Sequence, residues 1–292
     1  MYGAVRSCSV VPAACQPSEV SKIFFDRHCA SVNAFRFNDH PVCAFKVASR
    51  LLLNGAATLR CKEGNTAKLR LYFRLMSEEY RQRLSQLDSC VISDVLDRLN
   101  LPGVVLGLNR LSTDKKLAGP VQTVKIEAAE GRLPQRPLCS ATIERARPGD
   151  VIVVEHRSRQ DCSGWGGILS RAARVQKVAG VIIEGMCRDV DESRELGFPI
   201  FARGAVPVTP RGRVIETGFN VPVTVGTITV VPGDWVIADG SGVVFIKPEN
   251  LSAVLDEAET IVAREAGLIA QIEAGVPVGQ VMSRTYAHMA KK

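Results

Sequence analysis

The sequence predicts one α/β domain over about residues 76–292. Short β-branched runs bounded by Gly, Pro or charge alternate with stretches of helical apolar spacing, and turn signals separate the two. From Leu84 the apolar positions Leu87, Val91, Val95, Leu96 and Leu99 predict a helix, which the Pro and Gly of "NLPG" (100–103) end. "GPVQTVKI" (119–126) reads as a strand, and "VIVVE" (151–155) as another after the turn "RPGD". Pro148 and Gly149 suit the two central positions of a type II turn, Pro fixing φ at the first and Gly accepting positive φ at the second. The same device stands at "VPGD" (231–234) before "WVIAD", and "GSG" joins that strand to "VVFIKP" as a hairpin. After Pro248, the set Leu251, Val254, Leu255, Ala258, Ile261 and Val262 marks a long amphipathic helix.

Composition narrows the function classes. No window approaches the roughly 18–20 uninterrupted apolar residues of a membrane helix, so no membrane partner is expected. The formal charge of +7 resides in the first 75 residues, which hold eleven Lys and Arg against four acids; the remainder is balanced. A nucleic-acid groove would place its basic excess on the folded domain, so no nucleic-acid partner is expected. Five of the nine cysteines lie in that same segment, without CxxC or paired Cys/His spacing, which points to reduced thiols in a cytoplasmic protein. Residues 1–75, basic and poor in acids, predict a poorly ordered N-terminal extension. They also resemble a transit peptide, which would make the location mitochondrial; alternatively "MSEEYRQRL" at Met76 is the natural start.

The chemistry concentrates in "GWGGILSRAARVQKVAGVIIEGMCRDVDESRELGFPIFARG" (164–204). Ile168, Leu169, Ala172, Ala173 and Ala179 keep helical spacing, which puts Gly164, Gly166 and Gly167 in the loop and first turn of a helix. The opening amides of a helix lack internal partners and carry the positive end of its dipole, so glycines there form a cradle for a carboxylate or phosphate. The bland alternative is that these glycines only permit a tight turn. "AGVIIEG" is a buried strand that delivers Arg188 and Asp189 just past its C-terminal end, the edge at which ligands gather in open α/β sheets. Arg188 can pair with a carboxylate or oxyanion, and Asp189 can bind a hard divalent cation; alone, the two are also compatible with a surface ion pair. A dinucleotide site fails because Leu169 stands at the third glycine position and the loop from Glu155 to Gly164 is too long, although Glu184 falls where a ribose-binding acid would sit.

"GWGGIL", "GVIIEGMCRD" and "GFPIFARG", with "ISDVLD", "LAGPVQTV", "RPGDVIVV" and "VVPGDWVIADGSGVVFIKP" in that order, resemble the family that joins class II 4-hydroxy-4-methyl-2-oxoglutarate aldolases to the regulator of ribonuclease activity A. The resemblance implies a single-domain β/β/α swivelling-domain fold and a homotrimer with active sites near subunit boundaries. It implies that backbone groups of Gly166, Gly167, Ile168 and Leu169 hold the carboxylate of a small 2-oxo acid. Arg188 would contact the substrate, and Asp189 would help bind Mg2+ or Mn2+. The activity implied is aldol cleavage to pyruvate, with oxaloacetate decarboxylation through the same enolate; the regulatory branch implies instead a non-catalytic ribonuclease-binding protein. One position departs from the pattern: many of the aldolases carry an acid where this chain has Gly167. Asp161, Asp191, Glu192 or a carboxylate from a neighbouring subunit are the next candidates for the base that such an acid would organise.

Overall fold

The computed structural model of the protein describes residues 63–289, with side chains from 75 to 283. The chain divides between Leu71 and Tyr72, and the unit from Tyr72 to Lys292 holds every strand of the described residues. For residues 1–62 the expected extension lies outside the described residues; from Glu63 the chain is helical.

Where one helix was expected there are two, α1 (Glu63–Gln86) and α2 (Ser89–Arg98). The break arises at Asp88, whose backbone is extended and whose carboxylate accepts a 2.8 Å hydrogen bond from the Val91 amide, an N-cap for α2. Leu84, Leu87, Val91, Val95 and Leu96 are buried as the spacing predicts, but Leu99 is the C-cap and is 43% exposed. Among the described side chains of α1, from Leu75 on, the first buried one is Tyr80, which packs edge-on against Trp235. A chain beginning at Met76 is therefore expected to fold with an unchanged melting temperature. A drop of more than a few degrees would show that the residues before Met76 contribute to the core.

Nine strands form one sheet in the order β1 (Val104–Val105), β11 (Val243–Ile246), β10 (Trp235–Ala238), β3 (Leu117–Ala128), β4 (Val151–Glu155), β5 (Gly180–Cys187), β6 (Ile200–Ala205) and β2 (Asn109–Arg110); β7 (Val214–Phe219) joins β3 off that path. Strand β3 curls the sheet by changing partners along its length. Residues 117–120 pair antiparallel with β10, 121–125 parallel with β4, and 124–128 antiparallel with β7. The hairpin of β10 and β11 is present as expected. A smaller hairpin pairs β8 (Val223–Val225) with β9 (Ile228–Val230).

The parallel strands β3 to β6 are covered on both faces, which is why β4 is apolar at nearly every position rather than alternating. Ile152 and Val154 pack with Val124, Ile183, Ile143, Trp165 and Ala173 beneath the helices α3 (Ser140–Arg145) and α4 (Gly167–Val175). Val151 and Val153 turn the other way, against Ile182, Phe201, the small hairpin's Val223 and Val230, and Phe245 of β11. Helices, central sheet and a second layer of strands are thus the layers of a mixed α/β fold with a curled sheet. The long helix α6 (Leu251–Glu273) buries Leu251, Val254, Leu255 and Ala258, while Ile261 and Val262 on the expected stripe reach solvent.

Both PGD turns take the expected form. Gly149 and Gly233 have φ of 86° and 88°, and the amides of Asp150 and Asp234 close each turn on the carbonyls of Arg147 and Val231 at 3.0 Å. Each aspartate side chain also accepts from the first amide of its own turn, at 2.8 and 2.9 Å, so the turn residues bind themselves into shape before their strands begin.

Candidate active site

Two consecutive βα connections meet at the C-terminal end of the parallel strands. One runs from β4 through a long loop to α4; the other runs from β5 to the short helix α5 (Val190–Glu195). The long loop is drawn back onto β5, because Gly164 N–H donates to Met186 O at 2.8 Å, and the Arg188 amide donates to Trp165 O at 3.0 Å. These bonds set Gly166 and Gly167 beside Arg188 and Asp189, the juxtaposition that the sequence suggested.

The glycines of this loop are there for space. Gly164, Gly166 and Gly167 all lack positive φ, so the tight-turn explanation does not apply to them. A Cβ on Gly166 would lie 2.9 Å from Asp189 Oδ2 and 3.0 Å from Arg188 Nε, and one on Gly167 would lie 1.9 Å from Glu192 Oε2. Gly164 faces the ring of His156 at 3.1 Å in the same sense. Each glycine admits a specific polar side chain to the backbone.

Asp189 is the residue with the unusual backbone, at φ 57° and ψ 39°. Left-handed conformations are uncommon outside glycine, though aspartate tolerates them, and they gather at functional sites. Here the turn aims the carboxylate at α4: Asp189 Oδ2 accepts from the Gly167 amide at 2.8 Å and lies 3.3 Å from Arg188 Nε. Both side chains remain about one-third exposed, at 34% for Arg188 and 38% for Asp189. With the Gly167 amide engaged, the amides of Ile168 and Leu169 are the ones at this helix start without a partner among the described residues. The Ile168 side chain is 81% exposed, whereas Leu169 packs against the core.

A buried polar chain holds the two helix starts in register. Trp165 Nε1 donates to Ser170 Oγ at 3.0 Å; Ser170 and Ser193 hydroxyls are 2.9 Å apart; and the Ser193 amide donates to Asp189 O at 3.0 Å. Trp165 itself stacks on Phe198 with ring centroids 6.3 Å apart. Both serines are fully buried, and nothing in the spacing of isolated serines would have found them. Ser170→Ala leaves the indole N–H and the Ser193 hydroxyl short of a partner, so it is expected to cost about 1–3 kcal/mol of unfolding free energy. Urea denaturation measures this, and a variant as stable as the parent would deny the chain any stabilising part.

Other titratable groups nearby are structural. Burial pushes the Cys187 thiol up to about 12, so it stays protonated beside Arg188. Burial likewise lowers His156 to about 4, leaving a neutral ring wedged between Gly164 and Gly185. Glu184, placed where a ribose-binding acid would sit, is buried and paired instead with Arg203 at 3.1 Å and with the Ser158 amide at 2.6 Å. Among the described residues no cluster of three or more His, Cys, Asp or Glu could hold a metal by itself. Asp189 offers one carboxylate open to solvent, a donor set that suits a hard cation whose other ligands are water and substrate oxygens.

A curled, mixed sheet, with a glycine-lined helix start facing an Arg–Asp pair at the ends of its parallel strands, defines a mixed α/β protein. Residues 89–245 match the RraA-like family, described as Aldolase/RraA, and the chain belongs to that family. A Halalkalibacterium halodurans protein named "Putative 4-hydroxy-4-methyl-2-oxoglutarate aldolase" is 31% identical over 171 residues, 58% of this chain and 76% of that protein. Protein DlpA of Legionella pneumophila is 28% identical over 199 residues, 68% of this chain but only 32% of DlpA, so this chain spans about a third of that relative's length. The crystal structure of Streptomyces coelicolor RraAS2, described as an unusual member of the RNase ES inhibitor RraA protein family, superposes with a TM-score of 0.62 at 26% identity, covering 66% of this chain and 98% of that one. The family therefore includes proteins named as aldolases and proteins named as ribonuclease inhibitors. Among the described residues no helix is long and apolar enough to cross a membrane.

Proposed function

We propose that the protein is a divalent-metal-dependent carbon–carbon lyase that cleaves 4-hydroxy-4-methyl-2-oxoglutarate, or a related 4-hydroxy-2-oxo acid, to pyruvate and decarboxylates oxaloacetate through the same enolate. The supporting observation is the convergence of Arg188 and Asp189 on the start of α4, with the Asp189 carboxylate on the Gly167 amide.

On this reading the free amides of Ile168 and Leu169, with the backbone of Gly166, hold the substrate carboxylate at the positive end of α4, whereas the Gly167 amide expected in that set is taken by Asp189. Asp189 holds Mg2+ or Mn2+ through its solvent-facing side, while its bond to Gly167 fixes its orientation. The cation supplies Lewis-acid stabilisation of the negative charge that develops as the C–C bond breaks. Arg188 adds a second positive charge and orients the carboxylate or enolate oxygens. The Trp165–Ser170–Ser193 chain keeps these groups in place, so little reorganisation is needed as charge develops. The resident partners proposed are a small 2-oxo acid and two further copies of the chain, a homotrimer that light scattering would count.

The test is pyruvate release from oxaloacetate and from 4-hydroxy-4-methyl-2-oxoglutarate on adding Mg2+, with a chelator control. Turnover of either substrate that stops in chelator supports the lyase. Absence of turnover with both metals would favour the ribonuclease-binding reading.

A further inference from the structure

A second concave site lies at the other end of the parallel strands. Val181 of β5 stands opposite Ile200 of β6 and Cys187 opposite Ala205, so Arg188 leaves one end of this pair of strands while Gly197 precedes the other. There the segment that follows β2 (111–115) crosses the entry to β6 and, with Arg110, Arg194 and Gly197, bounds a cavity of about 730 Å3. The segment is pinned in place. The Leu111 amide donates to Ile200 O at 2.9 Å, and the buried Ser112 hydroxyl donates to Phe198 O at 2.7 Å while accepting from the Ile200 amide at 2.8 Å. Three cations from three elements line the cavity: Arg110 ends β2, Lys115 belongs to the segment, and Arg194 stands in the last turn of α5. Each is fixed by a backbone carbonyl. Arg110 Nη1 donates to Asp114 O at 3.0 Å, Arg194 Nη2 to Leu111 O at 3.2 Å, and Lys115 Nζ to Gly197 O at 3.0 Å. A carbonyl sets the direction of a cation without cancelling its charge. Carboxylate compensation is slight: Lys115 has none among the described residues, Arg110 has the fully exposed Asp114 at 3.4 Å, and Arg194 has Asp191, 90% exposed. Ion pairs as exposed as these are worth little. Acids and bases balance over the chain beyond residue 75, so this concentration of positive charge is local.

We propose that this cavity binds a small polycarboxylate, a metabolite carrying two or three carboxylates, through Arg110, Lys115 and Arg194. Its volume falls within the range of about 300–1,000 Å3 typical of pockets that hold small molecules. Both guanidiniums keep N–H groups for a carboxylate, and the Lys115 ammonium keeps two after its bond to Gly197 O. The three cations are held on three separate carbonyls around a space much larger than one tetrahedral anion. They therefore suit negative charge spread over a molecule rather than gathered on a single phosphate. A cleft lined by one sign of charge concentrates the opposite ion, and a segment already pinned by Ser112 needs little ordering when the ligand arrives. The site is distinct from the one at Arg188 and Asp189. Helix α5 stands between them, with Asp189 as its N-cap and Arg194 in its last turn. Binding here does not depend on the lyase reading.

Titration calorimetry tests this, with citrate, succinate and inorganic phosphate as probes at fixed ionic strength and without added metal. A polycarboxylate is also drawn to Arg188, so the reference protein is the full chain carrying Arg188→Ala, in which the second site stands alone. Citrate should bind it with one molecule per chain, and succinate and phosphate more weakly. Adding Lys115→Met or Arg194→Gln removes a charge-assisted hydrogen bond and should weaken citrate by at least about tenfold. Because Arg194 also ties Leu111 O, a variant that leaves every cation and its carbonyl in place is needed beside these. Asp114→Asn is that variant: it removes the one carboxylate in the lining, which is fully exposed, and should tighten citrate by about two- to fivefold. Absence of citrate binding to the reference protein would overturn the proposal, as would citrate affinity that survives both Lys115→Met and Arg194→Gln, or that does not rise in Asp114→Asn. Phosphate binding as tightly as citrate would overturn the assignment to polycarboxylates.

Discussion

Asp189→Asn is expected to reduce pyruvate formation from either substrate by on the order of a hundredfold or more and to weaken Mn2+ binding by about as much, with the fold retained. The amide oxygen of asparagine can still accept from the Gly167 N–H, now at 2.8 Å from Asp189 Oδ2, so the turn into α5 and the start of α4 keep their bond. Asparagine also tolerates the left-handed backbone found at this position. What is lost is the negative charge on the side open to solvent. Geometry and charge are thereby separated, and a melting temperature near the parent's alongside collapsed metal affinity is the pattern to look for. Parental turnover in EDTA would falsify the metal role outright. A large fall in stability would instead show that the carboxylate serves mainly to hold α4 and α5 together.

Much of this arrangement was legible in the sequence because it depends on local rules. Pro148–Gly149 and Pro232–Gly233 specify their turns within four residues, and the buried runs at 151–155 and 180–187 declare themselves by length and branching. Arg188 and Asp189 could be placed at a strand end for the same reason. The rest depends on contacts between segments distant in sequence. Nothing local tells that β3 will serve three partners, or that Asp88 will break the first amphipathic stretch by capping a new helix. The reason for the glycines is equally non-local. Gly166 and Gly167 read as turn formers or as an anion cradle, yet the space they leave is taken by side chains of residues 188, 189 and 192, more than twenty positions away. That contact also changes what a substitution at Gly167 would do. An aspartate introduced there meets a carboxylate already in place, so it is informative only in a Glu192→Ala background.

Arg188 carries the second large effect. Its guanidinium Nε is 3.3 Å from Asp189 Oδ2, and its stem lies across Gly166, where an added Cβ would be 3.2 Å from Cγ. The Nε end of the guanidinium thus lies between the Asp189 carboxylate and the bare backbone of Gly166. Lysine keeps the charge but has no Nε–H in that place and no fork to match a carboxylate or enolate. Losing one charge-assisted hydrogen bond, worth about 1.5–3 kcal/mol, corresponds to a fall in kcat/KM of roughly ten- to a hundredfold for Arg188→Lys. Arg188→Ala removes both charge and donors from the developing enolate and is expected to fall by about a thousandfold or more. Because the Arg188 backbone amide, bonded to Trp165 O at 3.0 Å, survives either change, the loop and its glycines should stay in position. Steady-state kinetics on both substrates, with oxalate binding as the check on ground-state recognition, measure the effect. A lysine variant equal to the parent would mean that charge alone suffices and that the fork has no part in holding the substrate.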